Sequence, residues 1–365
     1  MRILLVAGLD YENPSAEAVL NGLGKAYRRH GHSVRAVSLC LKGGSSRAGR
    51  KMPWGRLLSF NCDWQALLVR ELRRADVAHF HSYHGHLEER VVAFWRACRA
   101  AKASPLVSFQ GYGDPWGVTP DAKERALMGV FLSEARRVTA LSRFCARQIE
   151  NDVPALAKRV AVVPDGYDPE EMKMAKPALR GGAYVACVAR HSDAKGIDVL
   201  LKAWKLVFPR ANVVLRIAGP DRMVPRGRFK RQARRLGIAG GVRFLGQVSR
   251  RRVWSEIGGS LFTVHPSRYE AFGMAVLEAM AAGKAVVATR SGGPEELVTH
   301  GVSGVLVPPG NAAALAAAIL RLVRNPDWRK RLEAGARREA GNYRWDLIAG
   351  RYLGLLRSNV RGRQA

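Results

Sequence analysis

Short apolar runs alternate with amphipathic stretches along the chain, and each kind of period predicts its own element. Residues 3–7 (ILLVA), 34–39, 77–81 and 106–109 read as strands, and residues 16–30 as a helix behind a loop containing Gly, Pro and Ser. Strand–helix alternation at this spacing implies a parallel, doubly wound sheet whose ligands lie at the carboxyl ends of its strands. The pattern resets near Val162. A short strand at 161–163 and a Pro164-Asp165-Gly166 turn lead through a polar stretch with Pro169 and Pro177 into a second series. There residues 184–189, 213–218, 242–245, 261–264, 285–288 and 305–307 alternate with helices. The predicted fold class is therefore α/β with two Rossmann-like domains. Residues 1–168 form the first, 169–344 the second, and an amphipathic segment within 345–365 returns as a helix to the first. A chain of 365 residues gives each domain its own core.

Composition narrows the class. Hydrophobic residues are 47% and charged residues 25% of the chain, as in ordinary globular proteins. No apolar run reaches the roughly 18–20 residues that cross a bilayer. The start, MRILLVAGLD, reads as a buried first strand rather than a secretory signal, so a cytoplasmic location is expected. Cys40, Cys62, Cys98, Cys145 and Cys187 stand singly, a spacing that fits free thiols better than zinc ligation or a disulfide framework.

Charge changes the picture. The net charge is +30, with 25 basic against 17 acidic residues through Glu170 and 35 against 13 beyond it. Residues 222–252 hold eleven Lys or Arg and no acid. Such density favours phosphate-bearing substrates, an anionic membrane surface or nucleic acid, against the alternative of a merely solvated basic face. The basic run at 47–60 carries Trp54, Leu57, Leu58 and Phe60 and reads either as a membrane-surface segment or as a capping loop. Nucleic acid is the weaker partner, because the basic stretch has no aromatic stacking series and no recognition motif.

The segment HPSRYEAFGMAVLEAMAAGKAVVATRSGGPEELV, starting at His265, carries the chemistry. It reads as strand end, loop, helix, strand and glycine loop. A helix starting near Phe272 or Gly273 exposes the amides of Phe272, Gly273, Met274 and Ala275, and those amides with the helix dipole suit a phosphate or sugar hydroxyls. Glu270 precedes that helix, and Glu278 lies eight positions later within it. The plainer reading puts Glu278 in solvent and makes Gly283 a helix stop.

In this company of motifs the chain resembles the retaining, two-Rossmann-domain (GT-B) glycosyltransferases of the fourth family, whose domains face each other across a cleft. VACVARHSDAKGIDVLLKAW from Val185 resembles the family's strand, phosphate-loop and helix element; LRIAGPD, VRFLGQV and SGGPEELV follow in the family's order. DVAHFHS, LSRF and VVPDGYD match weaker elements of the first domain. The resemblance implies that Arg190 and Lys195 hold the donor diphosphate. Two fixed cations suit a leaving group that gains charge, Arg gripping two oxygens and Lys acting as a point charge. By the same resemblance Glu270 positions the sugar, Glu278 holds the ribose, and backbone at Gly246, Gln247 and Val248 flanks the base. The donor is a UDP- or GDP-sugar, with no cofactor and no metal. The acceptor is a glycan or lipid-linked molecule taken by the first domain, with an anionic membrane surface as a candidate partner.

The chain departs from the family pattern at four places. Ala189 stands where Gly usually precedes the arginine, Pro-Asp-Gly replaces Pro-Asn-Gly, and the first loop reads GLDYENPSAE without paired glycines. Gln110 stands where many members place a histidine beside the donor sugar; Gln can bond a hydroxyl but cannot carry a proton as His does. His79, His81, His84 and His86 lack accompanying acidic or Cys ligands, so His81 and His84, with Gln110, are read as acceptor-side candidates rather than a metal centre. Gly22 and Gly24 lie too deep in a helix to be a dinucleotide fingerprint. The expected activity is sugar transfer in cell-surface polysaccharide or glycolipid synthesis at the inner membrane face. A nucleotide-sugar epimerase of the same architecture and a basic nucleic-acid-binding protein are the alternatives.

Overall fold

A computed structural model describes residues 1–7, 14–38, 64–82, 89–112, 121–173, 177, 182–221, 224–225 and 227–357. The Trp54 run, His84, His86, Cys40, Cys62 and most of the first loop lie outside the described residues. The chain divides into two units, residues 1–166 with 345–365, and residues 167–344.

In the first unit, β1 (Arg2–Ala7), β2 (Ser33–Ser38), β3 (Val77–Ser82), β4 (Leu106–Phe109), β5 (Arg137–Ala140) and β6 (Val160–Val162) form one parallel sheet in the order β2-β1-β3-β4-β5-β6. Both faces are covered, which is why the strands read as continuous apolar runs. Ile3, Leu5 and Ala7 face the helices Pro14–Arg29 and Trp345–Arg357, whereas Leu4 and Val6 join the core that holds Phe80, Phe94 and Trp95. β5 is a strand that the apolar pattern does not announce. Its sequence, RVTA, has too few apolar residues to stand out, and it forms because it pairs with β4 and β6 on both edges.

The terminal helix is anchored by a glycine. A Cβ on Gly22 would lie 2.0 Å from Nε1 of Trp345, so the bare backbone of the first helix is what admits the buried indole. The Gly22 position thus has a packing role. Tyr352 of the same helix reaches a polar group inside the unit: Ser108 Oγ donates to its hydroxyl at 3.3 Å, and lies 2.7 Å from both His79 Nε2 and Thr139 Oγ1.

In the second unit, β7 (Tyr184–Val188), β8 (Val214–Ala218), β9 (Val242–Gly246), β10 (Thr263–His265), β11 (Val286–Thr289) and β12 (Val305–Val307) form a parallel sheet in the order β12-β11-β10-β7-β8-β9. The chain starts at β7, builds outward to β9, then returns to build the other half from β10. The topological switch point, where such sheets bind ligands, is therefore the crevice beyond the carboxyl ends of β7 and β10.

Candidate active site

The loop after β7 and the loop after β10 meet at that switch point, and three contacts hold them together. The Arg268 amide donates to the Ala194 carbonyl at 2.7 Å. The Arg268 guanidinium forks onto Asp198 at 2.8 and 2.7 Å and also donates to the Asp193 carbonyl at 2.8 Å. Gly196, at φ +61°, passes so close to Pro266 that a Cβ would lie 2.1 Å from its carbonyl oxygen. Only glycine satisfies both the left-handed backbone and that approach.

Lys195 is thereby presented to Glu270. Its Nζ donates to Glu270 Oε2 at 2.6 Å, and the two side chains are 18% and 21% exposed, so the pair is largely withdrawn from water yet open on one side. The backbone of Glu270 is clamped as well. Its amide donates to the Ser291 carbonyl at 2.9 Å, and its carbonyl accepts from the Gly293 amide at 2.8 Å. A Cβ on Gly293 would lie 2.3 Å from Phe272 Cα, so the SGGPEEL loop wraps the Glu270 loop directly.

Gly273, at φ +106°, begins the helix Met274–Ala281, and no side chain caps that end. Phe272 and Gly273 are buried, and Met274 and Ala275 are half-buried. The first amides of this helix and its dipole are therefore left for an anion. Arg190 follows β7 and is exposed; Ala189 before it bonds to the Ala218 carbonyl at 3.0 Å. A Cβ on Gly219, the residue after β8, would lie 1.9 Å from the Ala189 carbonyl oxygen, so only glycine lets these two backbones pass so closely. Gly246 closes β9, its carbonyl accepting from the Gly219 amide at 2.8 Å; Gln247 is exposed and Val248 half-buried at the same end of the sheet.

Glu278 is 3% exposed and does not face solvent. Arg250 Nη1 donates to its Oε1, while Arg250 Nε donates to Glu171 at 3.4 Å and the guanidinium lies over Trp254. Sequence reading did not find Arg250; its only signal was a helix start after the VRFLGQVS element. His191 and His265 were also missed. His191 is buried between Phe229 and Phe244 and held below its ordinary pKa by that burial. His265, ending β10, is lowered to about 3 by burial and then by Lys195. Both are neutral at physiological pH.

The first unit brings together Gln110 and His81 but adds Asp165, which the sequence reading placed only in a turn. His81 is the penultimate residue of β3, Gln110 follows β4, and Asp165 follows β6. With the amide oriented to satisfy both neighbours, Gln110 nitrogen donates to Asp165 Oδ1 and Oδ2 at 3.1 and 2.9 Å, and its oxygen accepts from His81 Nδ1 at 3.2 Å. Burial pushes the Asp165 carboxyl up to about 7, partly offset by that hydrogen bond, and pulls His81 down to about 3. The His79 ring lies 4.2 Å from that of His81, tilted by 30°, and both its ring nitrogens are engaged, by Tyr27 and Ser108. Among the described residues no group of three His, Cys, Asp or Glu is placed to hold a metal ion. The thiols of Cys98 and Cys187 are buried and pushed up to about 12 by that burial. No helix of the described residues is long and apolar enough to cross a membrane.

Comparison with known proteins supports this fold. The family model for glycosyl transferases group 1 matches residues 169–339, and that for glycosyltransferase family 4 matches residues 16–171. A D-inositol 3-phosphate glycosyltransferase of Geodermatophilus obscurus is 30% identical over 309 residues, 78% of this chain and 68% of the relative. The enzyme of the same name from Thermomonospora curvata is 34% identical over 242 residues, covering 60% of this chain and 56% of the relative. The chain thus spans about two thirds of the first relative and little more than half of the second. Among solved structures, a glycosyltransferase from Rickettsia africae superposes with a TM-score of 0.81 at 18% identity, covering 100% of this chain and 99% of that one. Anabaena HepE, solved in complex with UDP and glucose, gives 0.78 at 20% identity, covering 98% and 100%. The switch-point cluster, the two six-stranded parallel sheets and these matches lead to one assignment: the chain belongs to the group 1 glycosyltransferases, with the GT-B fold of two Rossmann-like domains.

Proposed function

We propose that this chain is a retaining, metal-independent hexosyltransferase. It moves a sugar from a UDP- or GDP-sugar to a hydroxyl of a glycan or lipid-linked acceptor, in cell-surface polysaccharide or glycolipid synthesis. The observation that carries this reading is the Lys195–Glu270 pair at 2.6 Å, set at the β7/β10 switch point beside the uncapped start of Met274–Ala281. The UDP and glucose in the HepE complex support a nucleotide-sugar donor here.

Arg190, Lys195 and the first amides of Met274–Ala281 neutralise the diphosphate as the bond from the anomeric carbon to the phosphate oxygen breaks. Lys195 has three N–H donors, so it reaches phosphate oxygens while holding Glu270. Glu270 orients the sugar through its hydroxyls. Glu278, one oxygen fixed by Arg250, presents the other to the ribose, and the Gly246, Gln247 and Val248 backbone flanks the base. The acceptor oxygen attacks the same face that the phosphate leaves. Its proton passes to the departing phosphate oxygen, so no side-chain nucleophile is required and the anomeric configuration is kept. The acceptor is held by the first unit, at the ends of β3 and β4. Exposed Lys230, Arg231, Arg234 and Arg235 on the helix Arg228–Arg235 favour an anionic membrane surface as a partner.

Calorimetry with UDP, GDP, ADP and their common sugars, run with and without EDTA, tests the reading. One nucleotide should bind selectively, weakly after Lys195→Ala and equally well in chelator. A folded sample that binds none of them overturns it.

A further inference from the structure

Two of the departures from the family pattern touch each other. Gln110 and Asp165 are 55 positions apart in sequence, yet the Gln110 amide lies between the Asp165 carboxyl, at 2.9 and 3.1 Å, and the His81 ring, at 3.2 Å. An amide in such a bracket has two arrangements of almost identical shape, since its N and O can exchange places. Each fits one protonation state. With Asp165 ionised, the amide N–H donates to the carboxylate and the amide oxygen accepts from His81 Nδ1–H. With Asp165 protonated, the acid O–H donates to the amide oxygen, and the amide N–H donates to His81 Nδ1.

We infer that Asp165 is a positioning residue whose ionisation sets the direction of the Gln110 amide, and with it which group Gln110 presents to an uncharged hydroxyl of the sugar substrate. The identity of that substrate rests on the function proposed above; the three-residue relay does not. Gln110 is the half-buried member of the three, whereas Asp165 and His81 are buried, so Gln110 is the one placed to meet a ligand. In either arrangement its amide keeps one N–H and one oxygen lone pair unused, and the two exchange places when the amide inverts. The inversion takes up one proton, at Asp165, and moves the existing His81 proton from Nδ1 to Nε2; the ring stays neutral. Among the described residues His81 Nε2 is buried with no hydrogen-bond partner, so the ring can carry its proton on either nitrogen without breaking a bond elsewhere. Among the described residues, the groups facing Asp165 are the Gln110 amide, and Tyr352 from the helix Trp345–Arg357, with His79 and His81 of β3 behind them. None carries a positive charge at neutral pH, and burial accordingly brings the carboxyl to about 7, within the range where both arrangements are populated.

The decisive readout is nitrogen-15 NMR of the His81 ring between about pH 5.5 and about pH 8.5. The wild-type ring should change tautomer, from Nε2–H to Nδ1–H as pH rises, without passing through imidazolium; Asp165→Asn should abolish the change. A single tautomer across the range, or the same changeover in Asp165→Asn, overturns the inference whether or not the protein transfers sugar. In the transfer assay, the acceptor KM should vary with the same midpoint while nucleotide affinity stays flat. Gln110→Met, which keeps the length without the amide, should raise that KM about tenfold and remove its pH dependence. Nucleotide binding and far-ultraviolet circular dichroism confirm that the variant is folded. An acceptor KM in Gln110→Met equal to wild type removes the substrate contact. A wild-type protein that binds no nucleotide refutes the proposed function and leaves the NMR result to decide the relay.

Discussion

Asp165→Asn should make the first unit more stable at high pH than at low pH, relative to wild type. Asp165 is 3% exposed, and its pKa rises from an ordinary 3.8 to about 7 on folding, chiefly through loss of hydration. A carboxyl with a raised folded value holds its proton more tightly in the native state. Its contribution to stability is fully present below the unfolded value and is lost as pH rises through about 7. Integrating that difference between about pH 5 and about pH 8 gives a loss of ~3 kcal/mol in wild type. Asn cannot ionise, and its oxygen can still accept from the Gln110 amide, so the variant lacks this loss. The buried histidines titrate alike in both proteins and cancel in the comparison. The stability difference, variant minus wild type, should therefore grow by ~3 kcal/mol across the interval, or about 5–10 °C for a unit of this size. Calorimetric melts at the two pH values measure it. A difference that stays constant within about 0.5 kcal/mol, the usual limit of additivity, would show that Asp165 is not held as a raised, buried carboxyl.

Lys195→Ala and Glu270→Gln should each cut sugar transfer at least about a hundredfold, as loss of a positioned charge does; steady-state rates near wild type in folded variants contradict the site assignment. Gly22→Ala puts a Cβ 2.0 Å from the Trp345 indole and should release the terminal helix, seen as faster hydrogen exchange across Trp345–Arg357. The double variant with Trp345→Leu should recover much of that protection, and failure to recover would refute the packing role. Arg250→Ala leaves the buried Glu278 carboxylate without its guanidinium and should destabilise the second unit by about 3 kcal/mol; an unchanged urea midpoint would mean that another cation serves Glu278.

What was legible in the sequence follows from what each residue answers to. The parallel strands showed because burial on both faces demands continuous apolar runs, and RVTA at β5 escaped because four residues with an Arg and a Thr give no such run. The loops at the carboxyl ends of the second sheet were readable because glycine is demanded where backbone meets backbone: Gly196 against Pro266, Gly219 against Ala189, Gly293 against Phe272. A demand of that kind leaves a local mark. Partnership between distant side chains leaves none. Nothing in the spacing joins Arg250 to Glu278, or Tyr352 to Ser108, because an Arg or a Tyr serves equally well in many places. Gln110 and Asp165 sharpen the point. Taken singly, each change weakens the likeness to the family, one by removing a histidine and the other by adding a charge to a turn. In contact they are complementary, since an amide can satisfy a buried carboxyl in either protonation state where an imidazole would have been drawn into an ion pair. A sequence read position by position registers two losses, and the fold joins them into one hydrogen-bonded unit.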